Sequence, residues 1–246
     1  DKIRGKKGTT VELLIKRKGV PNKTYKIVRD EIQIKSISQK LPDNFKLDDK
    51  IGYIRLSSFM GRNVSTDFKN IMESYKNKEG IIIDLRANTG GLLTNAIEIS
   101  DLFLDDDIIV STVDRDGYKD TSRSSKRYFS TQPLVILINK GSASASEIMS
   151  GALKDNQRAI LIGENTFGKG LVQEVKPLSP FGAGLNITVQ KYLTPNGTDI
   201  NKKGIAPDIE VKITEEDIKA QNDVQLKKAQ EVLLQMIQNE KMSANR

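Results

Sequence analysis

The chain has 246 residues, 37% hydrophobic and 29% charged, enough for one sizeable core and a small second element. It contains no Cys and no His, which removes thiol catalysis, the usual zinc sites and every hydrolase that depends on imidazole; a nucleophilic enzyme made from these residues must attack with Ser or Thr and pass the proton to Lys, a carboxylate or an amine. The net charge of +7 is concentrated in the first 40 residues, where twelve Lys and Arg stand against four Asp and Glu, but no stacking aromatics are interleaved with them, so a solvated basic face is expected and nucleic-acid binding is not.

In chain order, Thr10–Lys16 alternates as a strand, Gly19 to Asn22 turns, and Thr24–Val28 alternates again. After Pro42 a second start gives a strand at Ile51–Leu56 and a helix at Asp67–Tyr75. Ile81–Arg86 is a buried strand, Ala87–Gly91 a loop and Thr94–Leu104 a helix. Pro133–Asn139 is a further apolar strand, followed by a loop of small residues and a helix. Strands follow at Ala159–Gly163, Leu171–Val175, Leu185–Tyr192 and Asp208–Ile213. Asp223–Glu240 sets Leu226, Ala229, Leu233, Met236 and Ile237 on one helical face, which can cover its own domain or a second subunit; its own domain is expected. Strands alternating with helices predict an α/β fold with a mostly parallel sheet flanked by helices. The longest apolar runs, Ile81–Ile83 and Leu134–Ile138, are strand-sized and too short to span a membrane. With no initiator Met and no signal-like start, the sequence is expected to be a piece of a longer protein.

Three loops are candidates for chemistry. Gly141-Ser-Ala-Ser-Ala-Ser-Glu147 precedes a helix whose apolar positions are Ala145, Ile148, Met149, Ala152 and Leu153. Ser144 therefore stands where strand becomes helix, beside free N–H groups that can hold an oxyanion, Ala145 N–H being the nearest. The same residues fit an S-x-x-E capping box, Ser144 to Glu147, and both readings stay open on this segment alone. Gly163-Glu-Asn-Thr-Phe-Gly168-Lys169-Gly170 has the shape of a phosphate loop, but Gly170 occupies the place of the magnesium-binding Ser or Thr and a strand follows instead of a helix, so nucleotide is not expected. A catalytic Lys169 must work in its neutral form, which requires burial to bring it down from about 10.4. Gln173 shares a strand face with Lys169 and Leu171 and can orient the amine; an ordinary surface lysine is the alternative. Asp84-Leu-Arg-Ala-Asn-Thr-Gly90-Gly91 ends a buried strand in a loop with bare N–H groups, or in a plain glycine turn.

Together the motifs DLRANTGG (Asp84–Gly91), NKGSASASEI (Asn139–Ile148), GENTFGKGLVQ (Gly163–Gln173) and YLTPNGTDINKKGIAPDIEV (Tyr192–Val211) resemble the carboxyl-terminal processing, or tail-specific, peptidases, across nearly the whole chain. The opening IRGKKGTTVELLIKRKG (Ile3–Gly19) is similar to the end of the PDZ domain these enzymes carry, so the resemblance implies a PDZ remnant over 1–35 and a peptidase core over 36–246 with a ClpP/crotonase-like fold. It implies a Ser–Lys dyad of Ser144 and Lys169, 25 residues apart as in the family, assisted by Gln173, with oxyanion donors at Ala145 and at Gly90 or Gly91 and a supporting acidic residue at Asp155. The implied activity is serine endopeptidase action on protein or peptide substrates with exposed C-terminal tails, without metal or cofactor. The expected location is extracytoplasmic, in the periplasm, the cell envelope or the outside medium. The full-length protein is expected to be membrane-anchored, and a homodimer is left open. Two alternatives remain: a crotonase-like acyl-thioester enzyme, and a non-catalytic peptide-binding scaffold.

Overall fold

The structure is a computed structural model and describes residues 2–30, 35–178 and 182–244. The chain divides into two compact units, Asp1–Lys35 and Ser36–Arg246. In the first, β1 (Thr10–Arg17) and β2 (Val20–Val28) form an antiparallel pair. The turn between them is tighter than the expected Gly19 to Asn22, because Gly19 at φ 77° reverses the chain at once and lets Val20 pair with Arg17. Alternation places Val11, Leu13 and Ile15 on one side of β1, each half-buried, with Glu12, Leu14 and Lys16 exposed on the other. Residues 1 and 31–34 of the expected 1–35 element lie outside the described residues.

The second unit contains β3 (Ile37–Ser38), β4 (Ile51–Leu56), α1 (Val64–Ser74), β5 (Gly80–Asp84), α2 (Leu93–Asp101), β6 (Ile108–Asp114), β7 (Lys119–Arg123), β8 (Leu134–Ile138), α3 (Ala145–Asp155), β9 (Ile160–Gly163), β10 (Leu171–Leu178), β11 (Ala183–Leu193), β12 (Ile209–Glu210), α4 (Glu215–Lys219) and α5 (Val224–Ala244). Six strands make one sheet in the order β12-β9-β8-β5-β4-β3, parallel except for the pairing of β3 with β4. The central strands β5 and β8 are buried at every residue, which is why their sequences, GIIID and LVILI, do not alternate and are apolar throughout except for Asp84 at the end of β5. On one face Phe68 and Met72 of α1, Ala96 and Ile99 of α2, and Met149, Ala152 and Leu153 of α3 pack into a core with Ile81, Ile83, Leu134 and Ile136. On the other, Leu226, Ala229, Leu233 and Ile237 of α5 close over Tyr53, Ile82, Val135, Leu137 and Ile162. The C-terminal helix thus covers its own sheet, as expected.

A second sheet, β10-β11-β6-β7, is wholly antiparallel, and β6 and β7 were not anticipated. The signal for β6 is three apolar residues, Ile108 to Val110, after an acidic run, and β7 (KDTSR) has no apolar residue at all; both exist through main-chain pairing. The Asp208–Ile213 strand is reduced to Ile209–Glu210, and α1 begins three residues before the expected helix start. Among the described residues no helix is long and apolar enough to cross a membrane.

Candidate active site

The C-terminal ends of β5 and β8 open into the glycine and serine loops, the usual position for chemistry on a parallel sheet. Three serines of the second loop have separate fates. Ser142 is fully buried and donates to Leu85 O at 2.8 Å, and Ser146, equally buried, donates to Asn88 O at 2.8 Å. Ser144 is half-buried and lines a cleft of about 380 Å³ together with Gly91, Lys169, Leu171, Gln173 and Tyr192. Its backbone is at φ 56°, ψ −115°. That conformation is strained for a residue with a Cβ, by about 1–3 kcal/mol, and such strain persists only where surrounding structure enforces it.

The capping reading is met in part. Both halves of the capping box are in place, with Ser144 N–H donating to Glu147 Oε2 at 2.9 Å and Glu147 N–H facing the Ser144 side chain, but the hydrogen bond of Glu147 N–H, at 2.8 Å, goes to Ser144 O and the hydroxyl itself accepts none. The Ser144 side chain thus sits at the helix start without a hydrogen bond of its own there, and the residue also lines the cleft.

Glu147 does more than the sequence suggested. It is fully buried, and besides Ser144 N–H its side chain receives Thr166 Oγ1 at 2.6 Å, Gly168 N–H at 2.6 Å and Lys169 N–H at 2.8 Å. One oxygen, Oε2, accepts from the backbone N–H of both Ser144 and Lys169, so the two loops are tied through a single atom. The S-x-x-E spacing pointed to Glu147 but not to this second loop, which comes from 21 residues away in sequence.

Lys169 departs from expectation. Its backbone is fixed, yet the residue is exposed, on the wall of the cleft, and its ammonium makes no hydrogen bond or ion pair among the described residues. The reason is architectural: Gly168 and Gly170 are held down by the Asn201–Gly204 backbone, within 3.0 Å of where their Cβ atoms would be, and this fixes the main chain while leaving the side chain on the open side. Tyr192 N–H to Gly170 O and Lys202 N–H to Gly168 O, both 2.8 Å, complete the anchorage and explain the position of the Tyr192–Val211 motif. Gln173 is exposed and lines the same cleft. Asp155 lies away from it, at the far end of α3, and accepts Asn196 N–H at 2.9 Å.

The glycine loop is built on charge. Buried Asp84 accepts Tyr53 O–H at 2.9 Å and Arg86 at 2.6 and 2.9 Å, and Arg86 reaches on to both oxygens of Asp223 at 2.8 Å at the start of α5. Burial pushes the Tyr53 phenol up, and the Asp84 charge adds to it. Burial alone would raise Asp223 and lower Arg86, but their mutual hydrogen bonds, and those of Arg86 with Asp84, outweigh it in both. Beyond this base Gly90 adopts φ 99° and Gly91 φ 151°. A Cβ on Gly90 would lie 2.8 Å from Ser144 Cβ, and one on Gly91 2.3 Å from the Phe59 backbone. Gly90 N–H donates to Asn88 Oδ1 at 2.9 Å, whereas Gly91 N–H and Ala145 N–H make no hydrogen bond among the described residues. A larger hollow, about 440 Å³ beside Pro42 and Ile218, is lined by Asp43, Asp217 and Asp223 and offers no hydroxyl or amine nucleophile.

Comparison with known proteins gives the same direction. The profile of peptidase family S41 matches residues 50–211. A carboxyl-terminal-processing protease of Picosynechococcus sp. is 44% identical over 209 residues, 84% of this chain and 50% of that one, and the carboxy-terminal processing protease CtpA of Bacillus subtilis is 39% identical over 214 residues, 86% of this chain and 44% of that one. A solved photosystem II D1 C-terminal processing protease superposes with TM-score 0.68 at 33% identity, over 85% of this chain and 57% of that one. The chain spans about half the length of the curated relatives it matches.

Proposed function

The chain belongs to peptidase family S41, and from that premise we propose that it is a serine endopeptidase that cleaves protein substrates near exposed C-terminal tails. The observation that carries the reading is Ser144: the one serine of its loop left uncommitted, held in a strained turn between strand and helix, opening on a cleft shared with Lys169 and Gln173. The Lys169 amine takes the Ser144 proton as Oγ attacks the peptide carbonyl. The oxyanion falls to backbone N–H groups, the proton passes to the departing amine, and water releases the acyl-enzyme. Gln173 orients the amine, and Asp155 supports the turn at Asn196. Peptide lying in the cleft strips water from the exposed Lys169 side chain, so the substrate completes the site it enters. The edge position of β10, whose Leu171, Val172 and Gln173 line the cleft, supports entry of an extended tail by main-chain pairing.

The finer architecture belongs to the same proposal. The parallel sheet with helices on both faces supports a ClpP/crotonase-like core, and the separate hairpin unit supports a PDZ remnant over 1–35 preceding a core over 36–246. Work outside the cytoplasm, with the whole protein held near a membrane, completes the reading; fractionation of cells with an antibody to this chain tests it. The central experiment is reaction with a serine-directed fluorophosphonate, followed by mass spectrometry and by cleavage of peptides with free C-termini. Adduct on Ser144 and loss of both activities in Ser144→Ala are expected; hydrolysis that survives in the folded variant removes the assignment.

A further inference from the structure

We infer that Asn88 is a positioning residue for the oxyanion site: it retains Gly90 N–H and so leaves Gly91 N–H, with Ala145 N–H, as the pair facing the nucleophile. The inference rests on Ser144 being the nucleophile. Asn88 is fully buried in the turn after β5, and all its polar atoms that the inference uses are engaged. Nδ2 donates to Leu56 O at 2.7 Å and Oδ1 accepts Gly90 N–H at 2.9 Å, an assignment that cannot be reversed without facing donor to donor and acceptor to acceptor. Its carbonyl oxygen accepts Ala143 N–H at 2.9 Å and Ser146 Oγ at 2.8 Å, the residues that bracket Ser144 and Ala145. One residue thus joins the end of β4, the glycine turn and both flanks of the nucleophile.

The fate of the glycines follows. Gly90 O accepts Phe59 N–H at 2.9 Å and Leu92 N–H donates to Phe59 O at 3.2 Å. In extended backbone the polar groups of successive residues point to opposite sides, so with Gly90 O and Leu92 N–H turned to Phe59, Gly91 N–H points the other way. Gly91 lines the cleft with Ser144, and its N–H has no partner among the described residues. Were Gly90 N–H not held by Asn88, the peptide planes on either side of Gly90 could rotate, since a glycine at φ 99° has no Cβ to resist it, and the donor would lose its aim.

The test compares Asn88→Ala and Asn88→Asp with the parent chain, after each is shown to be folded by a cooperative thermal transition. We expect kcat to fall about 10²-fold with KM within about threefold, and the affinity for a peptide boronate, which forms a tetrahedral adduct on serine, to fall in step with kcat/KM. Asn88→Asp keeps the acceptor for Gly90 N–H but turns an oxygen on Leu56 O, so its kcat is expected to lie between those of Asn88→Ala and the parent. A folded Asn88→Ala with kcat within twofold of the parent, or with its whole loss in KM, overturns the inference. If Asn88→Ala does not fold, amide-to-ester replacement decides: an ester at Gly91 should cost about 10²-fold in kcat and more than an ester at Gly90, and the reverse order overturns the assignment. Failure of the underlying reading looks different, because then Ser144→Ala itself keeps activity and fluorophosphonate leaves Ser144 unlabelled.

Discussion

The two walls of the cleft are built on opposite principles. On the Ser144 wall the neighbouring side chains are buried and hydrogen-bonded: Ser142, Ser146, Asn88 and Glu147 each have at least one partner at 2.9 Å or less, and Ser144 itself is held in a strained backbone state. On the Lys169 wall only the backbone is fixed, and the side chains of Lys169 and Gln173 stand in solvent. The difference teaches that the residues proposed as nucleophile and oxyanion donors are pre-organised by folding, whereas the proposed base has only its backbone fixed and, on that proposal, is completed by whatever fills the cleft.

Substitutions can break this contrast, beginning with the largest effect. Ser144→Ala should reduce peptide hydrolysis by at least about 10⁴-fold, yet shift stability by less than about 0.5 kcal/mol in urea unfolding, because its hydroxyl makes no capping bond. A loss near 1 kcal/mol would restore the capping role. Lys169→Ala and Lys169→Arg should each cost about 10³-fold in kcat with an unchanged melting temperature, since arginine stays charged and the side chain is exposed; activity retained by the Arg variant would mean that charge, and not proton transfer, is what position 169 supplies. Glu147→Gln should cost about 3 kcal/mol, because its amide sets a donor against buried N–H groups that now meet an acceptor. That loss should be the greatest among the three site side chains, the inverse of the ranking by distance from the chemistry.

Smaller effects sharpen the picture. Asp223 lies below the usual carboxylate range in the folded chain, so its contribution is present above the ordinary Asp value near pH 4 and is lost as pH falls through the depressed one. Asp223→Asn should remove about 1–2 kcal/mol at pH 7 and flatten the acid limb of the stability curve, measured by urea unfolding from pH 7 downward. Ser144→Gly should raise stability by about 1 kcal/mol by releasing the strain at φ 56° while abolishing activity; a destabilised Gly variant would show that the turn is not strained.

Much of the fold was legible because burial leaves its mark on sequence. The apolar runs within Ile81–Arg86 and Pro133–Asn139 read as strands, which the structure places at the centre of the sheet, and the spacing from Ala145 to Leu153 reads as a helix that starts at the serine loop. β6 and β7 were hidden because antiparallel partners at a surface need main-chain groups more than apolar side chains. Gly90, Gly91 and Lys169 were visible as residue types. What each glycine does was not, since one Asn side chain decides which N–H is spent.

The sequence by itself narrowed the chemistry that is possible: without His or Cys, a nucleophilic enzyme must attack with a hydroxyl and pass the proton to Lys, a carboxylate or an amine, and the three loops place a Ser and a Lys among the candidates. Only the tertiary structure decided which of three serines is free, that Glu147 joins two loops far apart in the chain, and that the Lys169 side chain stands in the open. The reason is physical. Local sequence dictates periodicity and turn type, but burial and hydrogen-bond partners are properties of segments brought together from a distance, and no window of neighbouring residues contains them.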